Sequence, residues 1–191
     1  MTLTFKGLSF ANKVTIGRIL AVPFFTATLL SYDPERDYLR FWALGIFLLA
    51  MISDVIDGYI ARTRHQKTMA GAILDPLADK FLLISAFFCL YKIGPSLGDV
   101  QFPLWFVVTM ISRDAILLLG SMIIYLVHQR LEIEPSPWGK VTTFYQVLSI
   151  LGIFWQWTFS SGIWYVTIVV TVISGLGYIK NGIKVINAPP S

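Results

Sequence analysis

Cysteine is nearly absent: the 191 residues contain only Cys89, and it lies in an apolar run. That excludes a disulfide framework and a thiolate metal site, and leaves Cys89 as a small buried hydrophobe. Charge is also scarce, at 14% of residues, where ordinary soluble domains carry roughly 25%. No internal repeat, low-complexity tract or long linker interrupts the chain, so residues 1–191 read as one domain. A cleavable signal is not expected, because no small-residue cleavage pattern follows the long first apolar run. No Arg/Ser-rich transit peptide precedes that run either.

Apolar residues fill the space that charge vacates. They make up 55% of the chain, and the mean hydropathy is +0.69, which points to a polytopic membrane protein. Six apolar segments run approximately from Val14 to Leu30, Phe41 to Ile60, Ala72 to Tyr91, Phe102 to Val127, Val141 to Phe159 and Ile163 to Ile179. Each is near the ~20 residues needed to cross a hydrocarbon core. A backbone in lipid must satisfy its own hydrogen bonds, so these segments are expected to be helices. The expected fold is an all-α integral membrane protein with six transmembrane helices. Leu3, Phe5, Leu8 and Phe10, among Lys6 and Lys13, add a short N-terminal interfacial helix.

An even number of spans places both termini on one side. That side holds Lys6, Lys13, Arg62, Arg64, Lys67, Arg130, Lys140, Lys180 and Lys184; the other holds Arg36, Arg40 and Lys92. The positive-inside rule makes the first side cytoplasmic, as at a plasma (inner) membrane. Trp42, Trp105, Trp155, Trp157 and Trp164 fall near the outer ends of their segments and read as interface anchors. The net charge of +4 suits an anionic membrane surface and polyanionic substrates; no nucleic acid is expected as a partner.

Against this background four aspartates stand out. Asp54 and Asp57 end the second segment and Asp75 and Asp79 begin the third. A carboxylate in lipid costs at least ~2.5–3.5 kcal/mol on insertion scales, and four anions together repel one another. On helices the i,i+3 and i,i+4 spacings put each pair on one face. At about 1.5 Å per residue, Asp54 lies roughly 20 Å from the outer boundary, so the group lies towards the cytoplasmic surface. Oxygen ligands select hard cations such as Mg²⁺, Mn²⁺ or Ca²⁺, and four carboxylates suggest two ions clamping a phosphoryl group. Gly58 and Gly71 leave room beside the carboxylates, and Arg62, Arg64 and Lys67 form a basic cluster able to hold a diphosphate.

The full pattern is Asp54-x2-Asp57-Gly58-x2-Ala61-Arg62-x8-Gly71-x3-Asp75-x3-Asp79. It resembles the signature of the CDP-alcohol phosphatidyltransferase family at every fixed position. The resemblance implies an integral membrane enzyme, a homodimer using two divalent cations, Mg²⁺ or Mn²⁺, that moves a phosphatidyl group from CDP-diacylglycerol to an alcohol and releases CMP. It implies Asp54, Asp57 and Asp75 as metal ligands. Asp79 would be the general base, also near a metal, and Gly58, Ala61, Arg62 and Gly71 would line the CDP site. Asn12, Thr15 and Arg18 resemble the N-x2-T-x2-R opening of glycerophospholipid-making members, with Thr15 towards the nucleotide and Arg18 towards the acceptor.

The acceptor rests on fewer residues. Arg113 in the fourth segment and Lys140 at the start of the fifth are the candidates for its phosphate. Members that use glycerol 3-phosphate typically show Arg-Glu, a second Arg two turns on, and a G-K-x-K-T element. Here Asp114 follows Arg113, Ser121 occupies the region of the second Arg, and Thr142 replaces the second Lys. A phosphodiester needs fewer cations than a monoester, so the expectation is phosphatidylglycerol as acceptor, as in a cardiolipin synthase. The alternative is glycerol 3-phosphate, as in a phosphatidylglycerophosphate synthase. A remote rival is a divalent-cation transporter, although such sites usually lie near the midplane among repeats or broken helices.

Overall fold

The computed structural model describes the backbone of residues 10–63, 69–128 and 137–186, and side chains over 16–53, 77–120, 122, 137–178 and 180. Among the described residues all regular structure is helical: α1 Phe10–Leu30, α2 Tyr38–Thr63, α3 Met69–Leu97, α4 Leu104–His128, α5 Pro137–Phe154 and α6 Ser160–Ile186, with a 3-10 turn at Pro34–Arg36. Among the described residues one stretch, Ser160–Tyr178, is long and apolar enough to cross a membrane; Ile16–Leu30 and Tyr38–Ser53 are shorter apolar stretches. The described residues thus form six α-helices and meet the membrane-spanning criterion once. The expected N-terminal interfacial helix falls on residues 1–9, outside the described residues, and Phe10 already belongs to α1.

The chain divides within α3 into two compact units, Met1–Ser85 and Ala86–Ser191. In the first, α1 packs along α2. Phe25 and Phe47 meet with ring centroids 5.9 Å apart, flanked by the buried Leu29, Ala43 and Ala50. The connection between these helices is pinned by polar groups. Asp33 Oδ1 accepts from the Glu35 N–H at 3.1 Å, and the Tyr32 hydroxyl donates to Asp37 Oδ1 at 3.3 Å. Partial burial, and then the Asp37 carboxylate, push the Tyr32 phenol above its ordinary pKa.

The second unit packs α6 against α4 and α5. Its apolar end is an aromatic cluster of Phe87, Phe102, Phe106 and Trp164, with centroids 5.4–5.9 Å apart. Trp164 is buried in that cluster, whereas Trp42, Trp105 and Trp155 are exposed. The interface-anchor reading therefore does not extend to Trp164, because the inner face of α6 carries it onto the Phe102 and Phe106 rings.

Beyond that cluster, the seam between α5 and α6 mixes buried polar residues with apolar ones such as Ile150, Ile153 and Val170. Thr142, Gln146 and Ser149 on α5, and Ser160, Thr167, Thr171 and Ser174 on α6, are buried. Phe144, Tyr165, Val169 and Leu176 are exposed. Several of the inner hydroxyls donate back to their own helix: Thr142 to the Trp138 carbonyl at 2.9 Å, Ser149 to Tyr145 at 2.8 Å and Thr167 to Ile163 at 2.7 Å. Ser149 and Thr167 also face each other at 3.2 Å. Small hydroxylated residues at the interface and large apolar ones outside are the arrangement a lipid environment favours.

The fifth helix ends five residues earlier than its apolar run suggests. Gln156 turns the chain there with a φ of 52°. Its side chain accepts from Val100 N–H at 2.9 Å and donates to the carbonyls of Val100 at 3.2 Å and Ile153 at 2.9 Å. Gly98, at φ 151°, lies against it, and an added Cβ would collide with Gln156 Oε1. Gln156→Ala keeps the left-handed turn and loses all three bonds. The expected loss of stability is about 2–3 kcal/mol at ~1 kcal/mol per bond, read from chemical denaturation in detergent. An unchanged midpoint would show that the loops hold without this clamp.

Candidate active site

The motif lies on two continuous helical stretches. The α2 backbone is helical through Asp54, Asp57, Gly58, Ala61 and Arg62 to Thr63, and α3 is helical from Met69 through Gly71, Asp75 and Pro76 to Asp79 and beyond. The i,i+3 and i,i+4 spacings therefore act as helical spacings, and each pair of aspartates shares a helix face. Along the axes the separations are about 4.5 Å between Asp54 and Asp57 and about 6 Å between Asp75 and Asp79. The side chains of Thr15, Asp54, Asp57, Gly58, Ala61, Arg62, Gly71 and Asp75 lie outside the described residues, as do Arg64 and Lys67 entirely.

Asp79 is the one motif aspartate whose side chain is described. It is half-buried and follows Ala78, which is fully buried. Immediately before the motif, the Ser53 hydroxyl donates to the Leu49 carbonyl at 2.7 Å, so its proton is committed to its own helix.

Arg18 belongs to the same unit. At 3% exposure it is buried rather than extended to the surface. It shares a stripe with Phe25 and Leu29, the α1 residues that face α2. The short connection makes α1 and α2 antiparallel, and the Phe25–Phe47 contact fixes their register. Arg18 lies seven residues before Phe25, and position 54 lies seven residues after Phe47. Both are about 10 Å along the helices from that contact. The guanidinium-bearing position of α1 is thus level with the first motif aspartate of α2.

Arg113 lies in the second unit, nine residues into α4 from Leu104, and is buried at 8% exposure. Its guanidinium donates through one terminal nitrogen to Asp114 Oδ1 at 2.7 Å and through the other to Ser174 Oγ at 3.1 Å. The second carboxylate oxygen of Asp114 accepts from Gln146 Nε2 at 3.1 Å. Arg113 also lines a groove of about 400 Å³ between α4 and α6, whose other walls include Val108, Ser112, Ile116, Gly175 and Tyr178. Arg113 is the charged residue among them.

Lys140 is exposed, near the start of α5. It lies six residues before Gln146, about 9 Å along the axis and on a different face, and does not line the groove. Gln146 and Ser174 were missed in the sequence. Their signal was available as spacing: Thr142, Gln146 and Ser149 recur at helical intervals, as do Ser160, Thr167, Thr171 and Ser174.

For a metal, the relevant observation is the chemistry of the donor set. Four carboxylates on two helices, with no thiolate or imidazole in the motif, fit hard divalent cations.

A family model described as CDP-alcohol phosphatidyltransferase matches residues 8–173. The chain is 34% identical over 183 residues to a probable phosphatidylglycerophosphate synthase of Mycobacterium tuberculosis (strain H37Rv), covering 91% of this chain and 81% of the relative. It is 34% identical over 142 residues to the CDP-diacylglycerol–glycerol-3-phosphate 3-phosphatidyltransferase of Aquifex aeolicus, covering 74% and 73%. The protein of the same description in Escherichia coli (strain K12) is 31% identical over 176 residues, covering 87% and 91%.

Proposed function

This chain belongs to the CDP-alcohol phosphatidyltransferase family, whose members are membrane-embedded enzymes, and we propose that it transfers the phosphatidyl group of CDP-diacylglycerol to glycerol 3-phosphate with release of CMP. The observation carrying this reading is that relatives covering most of the chain bear the names of glycerol-3-phosphate phosphatidyltransferases and phosphatidylglycerophosphate synthases. Those names favour the alternative acceptor over the expected phosphatidylglycerol, and family membership sets the cation transporter aside. The cation count points the other way for a physical reason. It scored formal charges on two segments, whereas each guanidinium carries five N–H donors and can hold several phosphate oxygens. It also left out the buried Arg18.

In the proposed reaction the acceptor hydroxyl oxygen forms a new bond to the phosphatidyl phosphorus, and the bond from that phosphorus to CMP breaks. Asp79 takes the hydroxyl proton. Thr15, Gly58, Ala61, Arg62 and Gly71 hold the CDP moiety, and Arg18, Arg113 and Lys140 hold the acceptor's phosphate. Asp54, Asp57, Asp75 and Asp79 would hold two divalent cations, Mg²⁺ or Mn²⁺. When bound, these would neutralise charge on the phosphoryl oxygens. The reading includes one catalytic domain in a homodimer, six spans in the plasma (inner) membrane, and a site and both termini on the cytoplasmic side.

The test is an assay of purified protein with CDP-diacylglycerol and Mn²⁺ or Mg²⁺, following CMP and the lipid product. Phosphatidylglycerophosphate from glycerol 3-phosphate is expected. Cardiolipin from phosphatidylglycerol, with no product from glycerol 3-phosphate, would overturn the acceptor assignment. EDTA is expected to abolish CMP release and added Mn²⁺ or Mg²⁺ to restore it; full activity after exhaustive chelation would remove the metal ions from the reading.

A further inference from the structure

Arg113 is not simply a buried cation: side chains from two other helices fix the plane of its guanidinium. We propose that Gln146 and Ser174 are positioning residues that hold Arg113 for the acceptor's phosphate, an inference that rests on the role given to Arg113 above. Ser174 Oγ accepts from one terminal nitrogen at 3.1 Å, and Asp114 Oδ1 accepts from the other at 2.7 Å. Asp114 is itself held, because Gln146 Nε2 donates to its Oδ2 at 3.1 Å. Only the NH₂ end of the amide can donate to a carboxylate, so this contact also settles which way the Gln146 side chain faces.

Each group has a separate task. Asp114 and Gln146 are 1% and 0% exposed, so neither exchanges its bond for one with water. Two of the five guanidinium N–H directions are taken, and Nε has no hydrogen-bond partner among the described residues. A buried donor left open in this way is costly, and beside it the buried Gln146 Oε1 also has no hydrogen-bond partner among the described residues. The arrangement makes sense for a fork whose orientation is set from behind while donors remain for an anion. α4 contributes the cation, while α5 and α6 set its direction.

The experiment compares Ser174→Ala, Ser174→Thr, Gln146→Leu and Arg113→Ala in the full chain, with Thr167→Ala as a buried hydroxyl of the same seam outside this network. Separate KM values are measured for glycerol 3-phosphate and CDP-diacylglycerol, with thermal unfolding as a check on folding. Ser174→Ala and Gln146→Leu are expected to raise the acceptor KM roughly tenfold, the scale of a hydrogen bond to a charged group, with the donor KM unmoved. Ser174→Thr keeps the hydroxyl and is expected to recover the parent value, and Thr167→Ala to change neither KM.

An acceptor KM raised by Arg113→Ala but by neither Ser174→Ala nor Gln146→Leu would overturn the positioning role and leave the acceptor assignment standing. An acceptor KM unmoved even by Arg113→Ala would overturn both. Equal rises in both KM values, with reduced unfolding temperature, would show a structural role and overturn the proposal.

Discussion

Asp79→Asn is expected to lower kcat by about 10²–10⁴-fold, the range that a positioned general base contributes. Asn has the size and shape of Asp but cannot accept the acceptor's proton. Asp79 lies within a continuous α3 and is half-buried, next to the fully buried Ala78, and an isosteric Asn leaves no cavity there. Folding and binding of CDP-diacylglycerol should therefore survive, which thermal unfolding and a binding isotherm with the donor would show. Single-turnover CMP release measures the chemical step. Near-parent turnover would remove Asp79 as the base, and recovery of rate at high Mn²⁺ would recast it as a metal ligand alone.

The second large effect is on stability. Asp114→Ala is expected to cost about 3–5 kcal/mol, because it leaves the buried Arg113 guanidinium without its counter-ion. The carboxylate also accepts from Gln146, so the same change strands a buried amide donor. Replacing both charges, as in Arg113→Met with Asp114→Leu, should cost less than Asp114→Ala alone, because no isolated charge remains inside. Denaturation in detergent distinguishes the two variants. A loss for Asp114→Ala no larger than the ~1 kcal/mol of a neutral hydrogen bond would mean that water or another group reaches the guanidinium.

The aspartate motif was legible because its chemistry conflicts with its surroundings. Four carboxylates in apolar helices call for a counter-charge, and spacing alone put them on shared faces, as the α2 and α3 backbones do. Helix ends were less legible. Nothing near Phe154 marks a stop: Trp155, Gln156 and Trp157 include neither Gly nor Pro, and the turn depends on contacts between Gln156 and the distant Val100. Trp164 misled because a Trp near a helix end has the same local sequence whether it faces lipid or the Phe102 and Phe106 rings. The acceptor was hardest to read. Counting cations treats Arg113 as a charge, whereas its surroundings include, beside its neighbour Asp114, Gln146 and Ser174, which join them only in the folded chain.

The hydroxyls between α5 and α6 also bear on how this bundle tolerates mutation. Thr142, Ser149 and Thr167 make their shortest hydrogen bonds within their own helices, at 2.7–2.9 Å, and their contacts across the seam are longer, at 3.2–3.5 Å, so removing one of these hydroxyls takes a weak bond from the helix pair. Bulk behaves differently. A Cβ on Gly152 would stand 2.7 Å from Ser160 Oγ, and overpacking of this kind costs typically 1–3 kcal/mol. Along this seam, a change to alanine should cost less than a change to leucine. The two helices are matched in girth more than in chemistry.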